Sequence, residues 1–547
     1  EKGTKNEFYT VNLFSDYSRQ LGDHYFKVMG GFNAEHQNVR TLSAQRDGII
    51  VPDLPTIDTS TEQDVAGGGY NHWATAGFFG RLNYNYKEKY LLEVNGRYDG
   101  TSRFMKDQRW NFFPSFSLGW NVARENFWKP LESVVNQFKL RGSWGELGNQ
   151  NTSNLYPFYE ILPVKSNSGN WLVNGGKTNT ADIPSLVSTL LTWERVRSFN
   201  VGFDFGAFSN RLTGSFDYFV RKTVDMVGPA PQLPLVLGIA PAIVNNADMK
   251  SYGFEIELSW RDRIGEVDYG VKFNLADAQQ KVVKYPNTTN AFSDWYAGKM
   301  SGEIWWYTSL GIAKTDEEMK EHLASLPNGG QNQLGNKWGA GDIMYADING
   351  DGKIDGGKGT LADPGDQRII GNSTPRYNSG LVLDASYKGF DVSIFFQGVG
   401  KRDYAPIVGT NGAVFWGAVN NIWQSMAMEE HFDYFRPEGH PMGANLNGYY
   451  PRPDFTSNKN HQVQTRYLQD ASYIRLKNLQ IGYTLPKQWI NKLHINRCRV
   501  YVSGDNLWTG TSLASMFDPE TLAAGDWGSG KTYPLSKVIS FGLNVNF

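Results

Sequence analysis

The sequence has one cysteine, no long apolar run and almost no net charge, and each shortage excludes a class of protein. Cys498 stands alone, so no disulfide framework forms within the chain, and its phase with Val500 and Val502 indicates a small apolar strand residue. No stretch of about 18 apolar residues occurs, so no transmembrane helix is predicted. The net charge of −2 gives no reason to expect nucleic acid as a partner.

Aromatic residues, by contrast, are abundant. They make up 14% of the 547 residues, while charged residues make up 20% and the mean hydropathy is −0.46. A chain that is polar on average yet rich in aromatic residues is typical of a membrane-spanning β-sheet with one face toward lipid and the other toward water. Because every backbone polar group in lipid needs a partner, a membrane protein that crosses without helices must be a closed barrel.

The end of the chain shows such a two-sided strand. Its apolar face consists of Ile539, Phe541, Leu543, Val545 and Phe547. Serine, glycine and asparagine lie between them, and a period of two indicates a β-strand. The apolar face reaches the terminal residue, although chain ends normally fray in water. From these residues alone, a lipid-facing barrel strand and the core face of a soluble sandwich are equally good interpretations.

About 15 alternating segments of this kind follow one another along the chain. In one of them, Leu82 and Tyr84 are expected to face outward, and Arg81 and Asn83 to face a lumen. Short connections are expected at 21–23, 87–89, 123–136, 207–211, 261–266, 387–390 and 486–494, and long ones at 37–72, 99–112, 146–192, 226–250, 282–377, 404–466 and 508–535. A soluble sandwich gives no reason for such alternation, and no propeller-like repeat is found.

The pattern therefore predicts an all-β protein: a transmembrane antiparallel β-barrel with short periplasmic turns and long extracellular loops. Two local irregularities are expected within it. The segment 471–485 changes phase near Lys477 and Asn478, which predicts a β-bulge there. A short helix is expected at about 126–136, within the connection 123–136.

Several longer sequence motifs follow one another along nearly the whole chain. They include 81–90, 97–104, 113–120, 139–150, 347–355, 370–375, 387–397, 473–483 and the terminal strand. In these phrases, for example Phe113-Pro-Ser-Phe-Ser-Leu-Gly-Trp120, the chain resembles the C-terminal part of the barrel of SusC/RagA-type TonB-dependent outer-membrane transporters of the Bacteroidota.

The resemblance implies a barrel of about 22 strands around an N-terminal plug. Residues 1–547 are then expected to form its C-terminal part, and the plug and first strands to lie on a separate or cleaved polypeptide that contacts TonB. The strand that begins at Ile539 is expected to close the barrel against that polypeptide. The outer surface is expected to contact lipid and lipopolysaccharide.

The function that the resemblance implies is import of oligosaccharides or peptides, captured by a SusD-like surface lipoprotein, with a dimer of such pairs as a possible assembly. The alternative is a surface glycan-binding β-protein without transport. No enzymatic constellation is found: the sequence lacks the His-Glu-x-x-His and Gly-x-Ser-x-Gly motifs.

One loop phrase has the spacing of a calcium-binding loop. Its candidate ligands are Asp347, Asn349, Asp351, the carbonyl of Lys353, and Asp355. These match the first nine positions of an EF-hand loop, with Gly352 at the sharp turn. Lys358 occupies the twelfth position, where a bidentate acid belongs, so Asp363 or Asp366 is expected to complete the site. The alternative is a tight turn held by its own Asx side chains.

Loop tryptophans are the candidate substrate contacts, because sugar rings stack on aromatic faces. The candidates are Trp295, Trp305, Trp306, Trp338 and Trp416, with Trp423 and Trp527 as further loop aromatics. For each of them, packing within the loops or against a lid protein is the alternative role.

Overall fold

One antiparallel sheet dominates the computed structural model, which describes residues 1–62, 64–152, 154–230, 234–239, 241–406, 413–419, 427–490, 494–522 and 532–547. The sheet has 15 strands, and each pairs with the next long strand along the chain. The strands are β1 (Lys2–Leu21), β2 (His24–Gln45), β3 (Val65–Tyr86), β4 (Tyr90–Thr101), β5 (Trp110–Asn121), β6 (Val135–Asn149), β7 (Glu194–Ala207), β8 (Leu212–Val227), β9 (Asn245–Ile264), β10 (Val267–Lys284), β11 (Arg376–Tyr387), β12 (Phe390–Lys401), β13 (Tyr473–Thr484), β14 (Arg497–Thr511) and β15 (Val538–Asn546). The all-β class and the strand number are confirmed.

The expected alternation of connections is also confirmed. At one end of the sheet, strands are joined by short turns such as Lys388-Gly389, whose φ angles of 46° and 90° are those of the hairpin turns that match strand twist. At the opposite end lie the long loops, of which 285–375 and 402–472 are the longest. Two of the long connections are shorter than expected, because the flanking strands are longer: residues 46–64, not 37–72, join β2 to β3, and residues 102–109, not 99–112, join β4 to β5.

The two faces of the sheet differ in chemistry. One row of directly paired residues across eight strands is entirely apolar; it runs through Val28, Leu82, Val94, Phe116, Trp144, Phe199, Val220 and Tyr252. On the other face, Arg81 donates to Asn95 at 2.6 Å and Asn83 donates to Glu93 at 2.6 Å. Such a sheet suits lipid on one side and a wet lumen on the other.

Arginine–carboxylate pairs connect strands that lie one or two places apart in the sheet on its polar face. The Arg141 guanidinium of β6 lies 3.0 Å from Asp204 of β7 and also pairs with Asp217 of β8. Arg499 of β14 likewise pairs with Asp391 of β12. These charged side chains lie on the face that the alternating sequence pattern assigns to the lumen. Each is paired with an opposite charge from a nearby strand.

Two local expectations have different outcomes. Lys477 is skipped in the pairing of β13 with both β12 and β14, so the predicted β-bulge is confirmed. The helix expected at 126–136 is wrong in type and length: 3₁₀ turns cover Val122–Arg124 and Asn126–Leu131, and β6 begins at Val135. Pro130 lies inside the second turn and lacks the N–H that a longer helix needs.

Helical elements are few and short in the described part of the chain. The α-helices are α1 (Asp316–Ala324), α2 (Ala413–Trp416) and α3 (Lys487–Ile490), and other 3₁₀ turns are Ile57–Thr59, Lys106–Gln108, Leu235–Leu237, Gly417–Val419 and Glu429–Phe432. Thr315 caps α1 by accepting a hydrogen bond from the Glu318 N–H at 3.1 Å. No helix among the described residues is long and apolar enough to span a membrane.

The strand expected to close the barrel lies at one edge of the sheet. β15 pairs with β14, and β1 lies at the opposite edge. The apolar face of β15 is open: Phe541 is 85% exposed, and Phe547, just beyond the strand, is 83% exposed. The pairing of this strand with a further polypeptide stays a prediction.

Candidate functional site in the long loops

The largest buried apolar cluster among the described residues lies in the long loops. We call it the loop core; it consists of Tyr307, Leu326, Ile343, Tyr345, Ile354, Tyr404, Phe415, Trp416, Tyr450, Tyr467, Ala471, Leu513, Phe517 and Leu522. Its residues come mainly from the connections 285–375, 402–472 and 512–537, which leave the sheet at the same end. Short strand pairs stiffen the loops: Val164–Lys165 with Thr180–Ala181, Leu172–Val173 with Gly176–Lys177, Glu303–Trp306 with Arg368–Asn372, Ser309–Ile312 with Ile343–Tyr345, and Asp403–Tyr404 with Gln469–Asp470.

The loop core brings together three of the five candidate tryptophans. Trp416 is 3% exposed within it, and Trp306 and Trp338 pack against its surface. Their indole N–H groups donate to Pro406, Gln462 and Gly335, respectively. These three side chains therefore pack within the loops, in agreement with the alternative role stated for each of them.

The other two candidates lie outside the loop core. Trp305 stacks on Phe292 with ring centroids 4.8 Å apart, and its N–H donates to Glu303. Trp295 meets Tyr285 edge-on at 6.0 Å. Trp423 and Trp527 lie outside the described residues. The five candidates thus do not form one continuous stacking surface.

A charged triad around a buried carboxylate joins the loops. The Asp342 carboxylate is completely buried and accepts from Arg452 at 2.6 and 2.8 Å and from the Lys459 ammonium at 3.0 Å. Asn460 and the Gly339 N–H donate to the same carboxylate. We call Arg452, Asp342 and Lys459 the charged triad. It joins the loop after β10 to the loop after β12.

Beside the triad lies an aromatic cavity of about 170 Å³. Its most buried lining residues are Trp416, Tyr450 and His461, which are 3%, 7% and 1% exposed. Phe432 and Phe455 line it as well and are more than half exposed, at 54% and 62%. We call the first three the floor of the cavity and the two phenylalanines its rim. Sequence reasoning identified only Trp416 among these five residues.

His461 is the polar group of the floor. Its ring lies 4.7 Å from that of Trp416, and its Nδ1 has no hydrogen-bond partner in the described part of the chain. Burial lowers the pKa of His461 to about 4, so the imidazole is neutral at pH 7. A neutral imidazole carries one donor and one acceptor nitrogen, and Nδ1 is not accessible to a water-sized molecule.

The calcium-like loop is folded around its own side chains. Asp347 accepts from the Gly350 and Gly352 N–H groups, and Asn349 accepts from the Asp351 N–H. The ammonium of Lys353 pairs with Asp355, whose pKa it lowers. These contacts match the Asx-turn alternative.

Asp366, one of the two residues expected to complete a calcium site, has other contacts. Asp366 is completely buried and accepts from the Ile348, Asn349 and Asp355 N–H groups. Burial is the main cause that raises the pKa of Asp366. No group of three or more His, Cys, Asp or Glu side chains is arranged to hold a metal ion within the described ranges. Calcium binding stays a prediction.

Comparison with known proteins agrees with the two-sided sheet. The family model described as TonB dependent receptor-like, beta-barrel, matches residues 2–507. The chain is 28% identical to TonB-dependent receptor P3 of Formosa agariphila, over 98% of the chain and 52% of that protein. It is 24% identical to TonB-dependent receptor SusC of Bacteroides thetaiotaomicron, over 98% of the chain and 50% of that protein.

Solved structures agree on the fold. The structure of the RagAB peptide transporter superposes with a TM-score of 0.78 at 21% sequence identity, covering 100% of this chain and 56% of the other. The chain thus spans about half the length of the relatives that it matches. With a family match over nearly its whole length, it belongs to the TonB-dependent receptor-like β-barrel family of outer-membrane receptors and is of the SusC/RagA type.

Proposed function

We propose that this chain forms the C-terminal part of the barrel of a nutrient importer that takes up oligosaccharides or peptides across the outer membrane of a Bacteroidota-type bacterium. The observation that carries the proposal is the sheet itself. It has an apolar row across eight strands on one face, ion-paired polar residues on the other, and the loop core at one end. A wall of this kind separates lipid from a wet passage.

Partners are part of the same proposal. A SusD-like lipoprotein is expected to cover the long loops, because proteins named SusC and RagAB are among the relatives. A plug and the remaining strands are expected from polypeptide outside these 547 residues, since the chain spans only about half of its relatives. TonB is expected to act on that plug. Pairing of two such complexes, and contact with lipopolysaccharide, remain predictions.

The membrane location is tested by extraction. The barrel is expected to stay in the outer-membrane fraction until detergent is added, and to migrate differently on a gel when the sample is not heated. A surface glycan-binding β-protein without transport needs no detergent and shows no such difference. Release into buffer without detergent contradicts the barrel proposal.

Transport is tested by uptake. Cells that lack the protein are expected to lose uptake of one labelled peptide or oligosaccharide pool, and the wild-type gene is expected to restore it. Removal of TonB is expected to have the same effect as removal of the protein. Unchanged uptake of every tested pool refutes import, even if the barrel is present in the membrane.

A further inference from the structure

We propose that an imported peptide adds as a further strand to one edge of β3, and that its terminal carboxylate pairs with Arg103. We call residues 66–72 the free edge; they lie on the loop side of the point at which the pairing of β3 with β4 ends. This rests on the import function proposed above, and it names the substrate class and the place where the substrate binds.

Strand β3 has a strand partner on only one side along the free edge. β2 pairs with β3 over the whole length of β3 and without a shift in register, whereas the pairing with β4 ends at Thr75. All of residues 66–72 are exposed. An exposed edge presents a row of unpaired N–H and carbonyl groups, which is a template for another extended chain.

The free backbone groups can be identified from the residues next to the edge. On the β4 side of the strand, the Ala74 N–H donates to the Ser102 hydroxyl, and the His72 carbonyl accepts from the Tyr156 hydroxyl. Backbone groups alternate between the two sides of a strand, so the even-numbered residues of the free edge all point away from β2. Apart from that His72 carbonyl, their N–H and carbonyl groups have no hydrogen-bond partner among the described residues.

The free edge has none of the features that block strand addition. Exposed edges in natural proteins are protected by charged residues, prolines or bulges. Residues 66–72 read Ala-Gly-Gly-Gly-Tyr-Asn-His, without proline, lysine, arginine or acid, and their register with β2 has no shift. The glycines at 67, 68 and 69 carry no side chains on either face, so another backbone can approach closely.

A cation without an acidic partner lies at the end of the free edge nearest the sheet. The Arg103 guanidinium lies 5.2 Å from the ring centroid of Trp73, on the polar face of β3. Its one hydrogen bond among the described residues is a long contact with Asn151 at 3.5 Å, and no described carboxylate pairs with it. Other arginines of the polar face, such as Arg97 and Arg141, each pair with an aspartate.

Together the free edge and Arg103 fit a short peptide better than a sugar or a partner protein. Residues on one side of a strand repeat at roughly 7 Å, which is the repeat of an extended peptide and not of pyranose hydroxyl groups. A peptide that runs parallel to β3 brings its C-terminal carboxylate to the end at which Arg103 lies, and arginine–carboxylate hydrogen bonds are strong. An internal segment of a partner protein has no such terminal charge.

The test measures binding of defined probes to the full transporter, purified in detergent with its partners, by calorimetry. The probes are Ala-Val-Ala-Val-Ala, its C-terminal amide and maltotriose. We expect the free acid to bind about tenfold more tightly than the amide, because the amide loses a charged hydrogen bond, and maltotriose not to compete. Competition by maltotriose, or no binding of the free acid, overturns the inference.

Two methylated forms of the peptide test for strand addition. N-methyl groups replace the N–H hydrogens of the second and fourth peptide residues in one form, and of the third and fifth in the other. Only one side of the added strand pairs with the free edge, so one form is expected to lose binding and the other to keep it. Equal binding or equal loss overturns strand addition, since both forms carry two methyl groups.

A proline variant locates the binding. Gly68→Pro removes an N–H that points away from β2 and leaves the hydrogen bonds with β2 in place, so peptide binding should fall roughly five- to tenfold. The matched control is Gly68→Ala, which adds a Cβ 3.1 Å from the Thr41 carbonyl oxygen and keeps the N–H. Both variants are expected to migrate on gels as the folded barrel, and equal binding by the two overturns the site.

The role of Arg103 has its own readout. In Arg103→Gln the preference for the free acid over the amide should disappear while the amide still binds. The matched control is Arg40→Gln, because the Arg40 guanidinium lies 5.3 Å from the ring centroid of Tyr70 on the opposite face of the same strands, and there the preference should stay. An unchanged preference in Arg103→Gln overturns the assignment of Arg103.

Two further outcomes separate this inference from its neighbours. If the peptide binds only after the SusD-like lipoprotein has been removed, a segment of that lipoprotein is the occupant, and the assignment to an imported peptide is overturned. If no peptide binds while uptake of an oligosaccharide depends on the protein, the strand-addition proposal falls and the import proposal stands.

Discussion

Removing the Asp342 carboxylate is expected to loosen the loops without unfolding the sheet. In Asp342→Leu, the Lys459 ammonium, which is 1% exposed, keeps only the Asn336 and Lys337 carbonyls as hydrogen-bond acceptors. Arg452 keeps a contact with the Lys337 carbonyl only. Two positive charges then lie close together, and the carboxylate that remains beside them is that of Asp454, 3.9 Å from the Lys459 ammonium.

The magnitude follows from the burial of the Asp342–Lys459 pair, whose side chains are 0% and 1% exposed. Breaking a buried ion pair by removing one partner costs about 3–5 kcal/mol, because an uncompensated charge stays buried. Every 1.4 kcal/mol is tenfold in an equilibrium constant, so local opening of the loop core should increase by roughly 10²-fold to 4 × 10³-fold. The β-sheet makes no direct contact with the Asp342 carboxylate in the described residues, so strand opening should stay unchanged.

Hydrogen exchange measures this opening. The Ile343 N–H donates to Asn460 and the Tyr345 N–H donates to Gln331, both inside the loop core, so their exchange reports on the loops. Peptides from β9 serve as the internal reference. Glu7→Ala is the control variant, because Glu7 pairs with Lys5 at an exposed position, where such pairs contribute little.

Two results decide the question. If exchange at Ile343 and Tyr345 rises less than tenfold in Asp342→Leu, the triad does not hold the loops together as we infer. The variant Asp342→Leu/Lys459→Met/Arg452→Met should restore slow exchange, because well-packed apolar residues replace a buried ionic triad at little cost. Failure to restore slow exchange points to shape or hydrogen bonding, and not to the unpaired charge, as the cause.

Three further predictions concern other parts of the chain. Phe541→Arg, on the apolar face of β15, is expected to destabilise the folded transporter in bilayers by about 2–4 kcal/mol if the residue lies near mid-membrane. Asn544→Arg, on the other face of the same strand, is expected to destabilise it by much less. Equal losses of stability in urea titrations of the two variants contradict the assignment of the faces. Because burial lowers the pKa of His461 to about 4 from an ordinary value of 6.5, the unfolded state binds more protons between these values. Stability of the loop core should therefore be complete above about pH 6.5 and fall by about 3 kcal/mol as the pH drops to 4. His461→Phe should remove that part of the pH dependence of hydrogen exchange. If the loop 347–355 binds calcium, elemental analysis should find the metal in the wild type and not in Asp351→Ala; equal metal content in both refutes the site.

The strands could be predicted from the sequence because their signal is local. Side chains alternate between the faces of a strand, so a run such as Arg81 to Tyr84 assigns each residue to a face without knowledge of the rest of the chain. The same rule located the bulge at Lys477, since an extra residue reverses the alternation. It did not apply to 126–136, where short 3₁₀ turns carry no period long enough to recognise.

The loops carry no such periodic signal. Trp306, Trp338 and Trp416 are far apart in the sequence and meet in one cluster, whereas Trp305, next to Trp306, lies outside it. Neither Asp342 nor His461 belongs to a motif, and nothing local distinguishes them from other loop residues. A Pro-x-Pro phrase at 451–453, close to an aromatic pair at 449–450, is the one pattern that hints at a rigid apolar surface there.

The sequence by itself therefore determined the main β-sheet: the all-β fold class, the number of strands, the chemistry of the two faces and the end of the sheet at which the long loops lie. All of these follow from the two-residue period of strands and from the lengths between them. Only the tertiary structure decided what the loops build. The charged triad and the cavity floor arise because loops from separate hairpins leave the sheet at one end and pack together, and such contacts depend on the position of strands hundreds of residues apart in the chain.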